Sequence, residues 1–293
     1  MQTALALLKT MRPKQWTKNV FIFAALLFDE KLFTPPYPWQ TVTGFLLFCL
    51  ISGVVYTLND LVDLEKDRQH PRKRNRPLAS GQLAPRVALG AVLFIAPAAL
   101  TLAWRLSHGF AAILGGYLLL QIAYSFYLKN VVLLDVLAIA TGFVLRVAAG
   151  VPLVNAARFS PWLYICTTLL ALFLALGKRR GELVLLQENA ANHRESLQEY
   201  TLPLLDQLMS MVTSSTILAY ALYTFSATNL PAGYRMMLSI PFVIYGLFRY
   251  LYLVHSQGTT LAPDEVLLTD RPLQADIILW GLAVLAIFYW GTL

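Results

Sequence analysis

Charge is what this chain is short of. Asp, Glu, Lys and Arg make up 13% of its 293 residues, where a soluble domain carries about 25%. That supply cannot furnish a water-facing surface, so an ordinary soluble domain is excluded. Cysteine is nearly missing. Cys49 and Cys166 each stand inside an apolar run, which excludes a disulfide framework or a cysteine metal knuckle and leaves two small packed hydrophobes. His70, His108, His193 and His255 are scattered through loops without ligand spacing, so none is read as catalytic. No short repeat or low-complexity segment stands out. A cleavable signal peptide is not expected, because Arg12-Pro-Lys-Gln-Trp-Thr-Lys18 stands where a small-residue cleavage site belongs.

What the chain has in abundance is apolar sequence, 57% by composition, with a mean hydropathy of +0.59. A bilayer span needs roughly 20 mostly apolar residues. Nine segments qualify: 19–34, 40–58, 87–105, 110–128, 133–154, 160–177, 204–226, 235–254 and 275–292. The first is the weakest, because Asp29, Glu30 and Lys31 interrupt it. The fold class expected is an all-α integral membrane protein, residues 1–293 forming one transmembrane domain. With the N-terminus inside, eighteen Lys and Arg fall on cytoplasmic segments and four outside. That bias sets the orientation, with the C-terminus outside after an odd number of spans. The long connections, 59–86, 178–203 and 255–274, are all on the cytoplasmic side and would form a polar cap there. Function is sought in those loops.

The most informative run is Asn59-Asp60-Leu-Val-Asp63-Leu-Glu-Lys-Asp67, an NDxxDxxxD pattern at the end of an apolar segment. On a continuous helix Asp60, Asp63 and Asp67 fall within an arc of about 60°. Asp60 and Asp63 are then about 4.5 Å apart in rise and could share one hard cation, while Asp67 stands about 10 Å from Asp60 and would need a second ion, a water or a bend. A sparse carboxylate set of this kind suits Mg²⁺ completed by substrate phosphates. Arg68, Arg72, Lys73, Arg74 and Arg76 follow. Cytoplasmic loops collect cations for topology alone, so only Arg68 and Arg72, nearest the carboxylates, are assigned to substrate phosphate. Asp264 and Glu265 are read as a solvated loop. Arg146 lies inside a span, where a charge is expensive and a functional candidate by default. It pairs only poorly with Asp135 along the helix and is expected to face a cavity, structural pairing being the competing reading.

These residues carry a resemblance. NDxxDxxxD, followed by Asn75-Arg76-Pro77-Leu78 and Ser80-Gly81, is similar to the first signature of the UbiA superfamily of intramembrane prenyltransferases. Tyr124-Ser-Phe-Tyr-Leu-Lys129 resembles the YSxxLK motif of that family, and Gly142-Phe-Val-Leu-Arg146-Val-Ala-Ala-Gly150 its glycine- and arginine-containing fifth span. The resemblance implies a helical bundle of about nine spans around a central cavity, a polyprenyl substrate, and Mg²⁺ held by Asp60, Asp63 and Asp67. One departure stands out. Family members carry a second DxxxD after the sixth span, whereas residues 178–203 here contain no aspartate and begin Lys178-Arg179-Arg180-Gly-Glu182. Lys178 and Glu182 also suit a plain i,i+4 helix pair.

That departure, with Arg12-Pro-x-Gln15-Trp16-x-Lys18-Asn19, Phe248-Arg249-Tyr250 and Asp270-Arg271-Pro-Leu, resembles the polyprenyl-phosphate phosphoribosyltransferase branch. The resemblance implies phosphoribosyl pyrophosphate as donor and a polyprenyl (decaprenyl) phosphate as acceptor, for lipid-linked pentose and cell-wall arabinan synthesis. Asp60, Asp63, Asp67 and Lys18 would carry the catalysis. Lys14, Asn59, Arg68, Arg72, Tyr124, Lys129, Arg146, Lys178, Arg179, Glu182, Arg249 and Arg271 would bind substrate and phosphate. Tyr124 reads equally as an interfacial belt tyrosine. The partners expected are these two substrates and membrane lipids, with no nucleic acid and a homo-oligomer left open. The location expected is a bacterial cytoplasmic membrane. A prenyltransferase moving an isoprenyl chain to an aromatic acceptor is the alternative, against which the missing second aspartate cluster counts. A transporter would show inverted repeats with broken helices, which the sequence lacks.

Overall fold

A computed structural model describes residues 2–69, 73–156, 160–188, 197, 199–227, 230–231, 233–256 and 263–289. Among them every regular element is helical. Eight helical segments are long and apolar enough to cross a membrane: Tyr37–Val62, Pro85–Leu106, His108–Phe126, Leu134–Leu153, Pro161–Leu185, Leu202–Ser226, Arg235–His255 and Arg271–Tyr289. Their outward faces carry large apolar side chains such as Leu93, Phe94, Leu119 and Leu218, as a lipid-facing surface requires.

The expected span at 19–34 is not among the eight. It is replaced by a 3-10 stretch, Pro13–Phe23, and a five-residue α-helix, Ala24–Phe28. The reason lies in the three charges that follow. Lys31 Nζ pairs with Asp29 at 2.6 Å and donates to Val154 O at 2.8 Å, so the chain turns there instead of continuing into hydrocarbon.

The chain folds as two compact units, residues 1–128 with 142–158, and residues 129–141 with 159–293. In the first, α1 (Gln2–Thr10), α2 (Ala24–Phe28), α4 (Leu64–Gln69), α5 (Pro85–Leu106) and α6 (His108–Phe126) pack against α3 (Tyr37–Val62). Pro85 opens α5 at a position where its missing N–H is not needed, and the Ser107 side chain caps α6 by accepting from Phe110 N at 3.4 Å. Phe48, Ile51, Phe110, Leu114 and Leu153 form the core. The helix α7 (Leu134–Gly150) begins in the second unit and ends in the first.

The second unit holds α8 (Pro161–Glu188), α9 (Leu202–Ser226), α10 (Ile240–His255), α11 (Pro263–Thr269) and α12 (Arg271–Tyr289), with α8 against α9 and α10 against α12. The helix α8 runs well past residue 177, so Lys178 to Glu182 are helical and not the start of a loop. Gly177 permits this packing: a Cβ there would meet Tyr250 Oη at 2.5 Å and its Cε1 at 2.9 Å. Gly177→Ala is therefore expected to cost about 1–3 kcal/mol by overpacking, read as a lowered unfolding midpoint in detergent; an unchanged midpoint would contradict it.

Candidate functional site

The acidic run sits where α3 stops. Asp63 leaves helical geometry (φ −92°, ψ 10°) and α4 starts at once, with Asp67 N bonded to Asp63 O at 2.8 Å. That break corrects the spacing expected from one straight helix. A single nitrogen, Arg76 Nη1, reaches Asp60 Oδ1 at 3.1 Å and Asp67 Oδ2 at 2.5 Å. Arg12 pairs with the same Asp60 oxygen and lies over the Tyr56 ring. Asp60 and Asp67 are buried and Asp63 half-buried. Sequence reasoning named neither Arg12 nor Arg76 as a site residue, although both stood in quoted motifs. Leu78 and Leu83, packed with Ala6, Leu61 and Leu64, anchor the Arg76 loop.

The other expected residues of this unit fall as follows. Asn59 and Lys18 are half-buried and Lys14 is exposed. Arg68 is exposed and pairs with Glu65 at 2.7 Å. Tyr124 is half-buried on α6, and Arg72 lies outside the described residues. Arg146 is buried and, among the described residues, bonds neutral groups: Asn19 Oδ1 at 2.9 Å, Gly142 O at 2.8 Å and Tyr117 Oη at 2.7 Å.

In the second unit Lys129 is buried. Arg179 is fully buried, its Nε 2.6 Å from Asp135 Oδ2, and it also pairs with Glu182. Asp135 Oδ1 accepts from Tyr200 Oη at 2.7 Å and from Val136 N at 2.8 Å. Burial, then the bond to Asp135, pushes the Tyr200 phenol up, which keeps it a donor. Lys178 approaches Glu182 at 4.0 Å, and Arg180 pairs with Asp206 at 2.6 Å. Arg249 binds Asp270 at 2.9 Å, which holds that carboxyl below its ordinary range, and Arg271 is exposed. The cations that replace the second acidic motif thus have carboxylate partners within the protein; the Lys178–Glu182 spacing is legible as a helix pair, whereas Asp135 and Asp206 lie too far along the chain for periodicity to reveal.

Among the described residues no three His, Cys, Asp or Glu side chains converge as a metal cluster. The donor chemistry nevertheless fits Mg²⁺, which takes one or two carboxylates and fills its shell with phosphates and water. Asp60 and Asp67 are two buried hard-oxygen groups already brought to one cationic atom.

Eight membrane-length helices among the described residues, with an acid–arginine cluster at the end of one of them, define a multi-pass membrane protein with a buried polar site. The chain belongs to the UbiA prenyltransferase family, whose model matches residues 19–265. It is 32% identical over 97% of its length to a decaprenyl-phosphate phosphoribosyltransferase of Corynebacterium glutamicum, covering 86% of that protein. It is 33% identical over 94% of its length to one of Mycolicibacterium smegmatis, covering 89%. A UbiA homologue of Archaeoglobus fulgidus, solved with GPP and Mg²⁺, superimposes with a TM-score of 0.74 at 18% identity, covering 97% of this chain and 99% of that one. The family membership and the helical membrane fold expected from the motifs are both borne out.

Proposed function

We propose that this protein transfers 5-phosphoribose from phosphoribosyl pyrophosphate to a polyprenyl phosphate, releasing pyrophosphate. The observation that carries this reading is the near-full-length similarity to two relatives that bear the name decaprenyl-phosphate phosphoribosyltransferase. Asp60 and Asp67, with Asp63 beside them, would hold Mg²⁺. When bound, that ion supplies charge neutralisation for the departing pyrophosphate.

The chain's own residues do the rest. Arg12 and Arg76 already stand against the carboxylates and are the cations best placed to take pyrophosphate oxygens. Lys14 and Lys18 lie on the same stretch as Arg12 and are proposed phosphate clamps, as are Arg68, Arg72, Lys129, Lys178, Arg249 and Arg271. Asn59, Tyr124 and Glu182 would bond sugar hydroxyls or phosphate. The bond from ribose C1 to the pyrophosphate oxygen breaks and one from C1 to a lipid phosphate oxygen forms, so pyrophosphate leaves with the electron pair. The attacking oxygen is already anionic near neutral pH, so no general base is needed and positioning with charge stabilisation suffices. The site would face the cytoplasm, where the soluble donor is.

Purified protein supplied with Mg²⁺, labelled phosphoribosyl pyrophosphate and decaprenyl phosphate is expected to form a lipid-linked phosphoribose. Because solved structural neighbours bind prenyl diphosphates, the competing outcome is consumption of a prenyl diphosphate with an aromatic acceptor. That result, without lipid-linked phosphoribose, overturns the reading.

A further inference from the structure

The Gly142, Arg146 and Gly150 spacing has a structural meaning that substrate contact does not explain. At 100° per residue these three positions drift by only about 40° each and share one face of α7. That face meets the 3-10 stretch Pro13–Phe23. Arg146 donates to Asn19 Oδ1 at 2.9 Å. One turn on, a Cβ at Gly150 would lie 2.2 Å from Ile22 O and 3.2 Å from Ala25 Cβ, so only glycine lets the two backbones approach. One turn back, Gly142 O accepts from Arg146 Nη1 at 2.8 Å.

Asn19 is the other half of this junction. It is buried, accepts from Ser52 Oγ at 3.3 Å as well as from Arg146, and donates to Cys49 Sγ at 3.3 Å. Arg146 extends the network to Tyr117 Oη at 2.7 Å. One carboxamide thereby ties the 3-10 stretch to α3 and α7 and, through Arg146, to α6.

The stretch needs such a tie. It is 11 residues of 3-10 helix, where runs longer than 3–4 residues are uncommon. Arg12, just before it, sits in the left-handed region at φ 52°, ψ 66°, a conformation that is strained for a non-glycine residue and persists only where its surroundings impose it. Arg12 is also the residue that pairs with Asp60.

We propose that Asn19, Arg146 and Gly150 form a positioning device for the diphosphate site: they hold the strained segment so that Arg12, with Lys14 and Lys18, is presented to Asp60. Arg146 is a positioning residue and not a substrate ligand. This rests on reading Asp60 and Asp67 as the diphosphate site, but not on which diphosphate is the donor.

The test is the affinity of the full-length protein, in detergent or nanodiscs, for inorganic pyrophosphate with Mg²⁺, measured by calorimetry beside the unfolding midpoint. Asn19→Leu keeps the branched shape and removes every polar contact of the side chain; it is expected to weaken binding about 10- to 100-fold, as loss of a residue that orients ligand groups does. Asn19→Asp keeps the acceptor for Arg146 and Ser52 and recovers most of the affinity. Gly150→Ala weakens binding in the same direction, and Ser52→Ala, a milder change if Asn19→Leu does not fold, does so to a smaller extent. Phe173→Ala, a cut in the separate core of the other unit, lowers the midpoint but leaves affinity intact. If wild-type protein binds no pyrophosphate, the site reading itself falls. If it binds and Asn19→Leu or Ser52→Ala binds equally well, or Phe173→Ala weakens binding as much, the positioning role is overturned.

Discussion

Asp60→Asn is expected to reduce turnover by roughly 10³-fold while leaving the helices folded. Asp60 is buried, and one of its oxygens takes both Arg12 and Arg76. The amide keeps the shape but removes the charge, so Arg76 retains Asp67 alone and Arg12 loses its carboxylate. The site that should bind a metal–diphosphate pair becomes net positive, and its metal affinity falls with its acid. Folding survives because both arginines are partly exposed, at 30% and 27% for their side chains, and water can take over their solvation. Formation of labelled lipid product, followed beside the thermal midpoint, checks both halves. Turnover within tenfold of wild type would remove Asp60 from the reaction.

The second large effect belongs to the other unit and to stability. Arg179 and Asp135 are both fully buried at 2.6 Å, and breaking a buried pair by removing one partner costs about 3–5 kcal/mol, because the other charge is left uncompensated. Arg179→Met is expected to show that cost in chemical unfolding from micelles. Asp135 would keep Tyr200 and the Val136 N–H as donors, yet lose its only opposite charge among the described residues. The pair Arg179→Met with Asp135→Asn should cost less than the sum of the single changes, since no buried charge then remains. A single-change cost within the about ±0.5 kcal/mol typical of surface substitutions would mean the pair is not buried in solution.

This prediction also separates what the chain revealed on reading from what it did not. Lys178-Arg179-Arg180 in a segment without aspartate looked like a set of phosphate clamps. In the structure α8 continues through them, Arg179 turns inward to Asp135, and Arg180 takes Asp206. Arg179 and Arg180 thus have carboxylate partners of their own, and Asp135 lies 44 positions from Arg179 in the numbering. Arg12 and Asp60 are separated by 48, beyond the reach of any periodic pattern. The 19–34 segment failed as a span for a local reason that was visible, the Asp29-Glu30-Lys31 run, whereas the break at Asp63 left no mark: a helix continuing to Asp67 fits the same letters.

The sequence by itself determined that this is a helical membrane protein, where eight of its spans lie, which loops carry charge, and that NDxxDxxxD belongs to a diphosphate-handling family. The spans and the charged connections depend on local composition and on 3.6-residue periodicity, which neighbouring residues express without help from the rest of the chain, whereas the family rests on a resemblance in motif. Only the tertiary structure decided that Asp60 and Asp67 meet on one arginine, that Arg179 is internal, and that Arg146 and Gly150 hold the strained N-terminal segment. Those outcomes depend on which distant side chain a buried charge finds as partner. The choice is made by packing and by the high cost of leaving a polar group unpaired in a low-dielectric interior, and neither can be read along a line of residues.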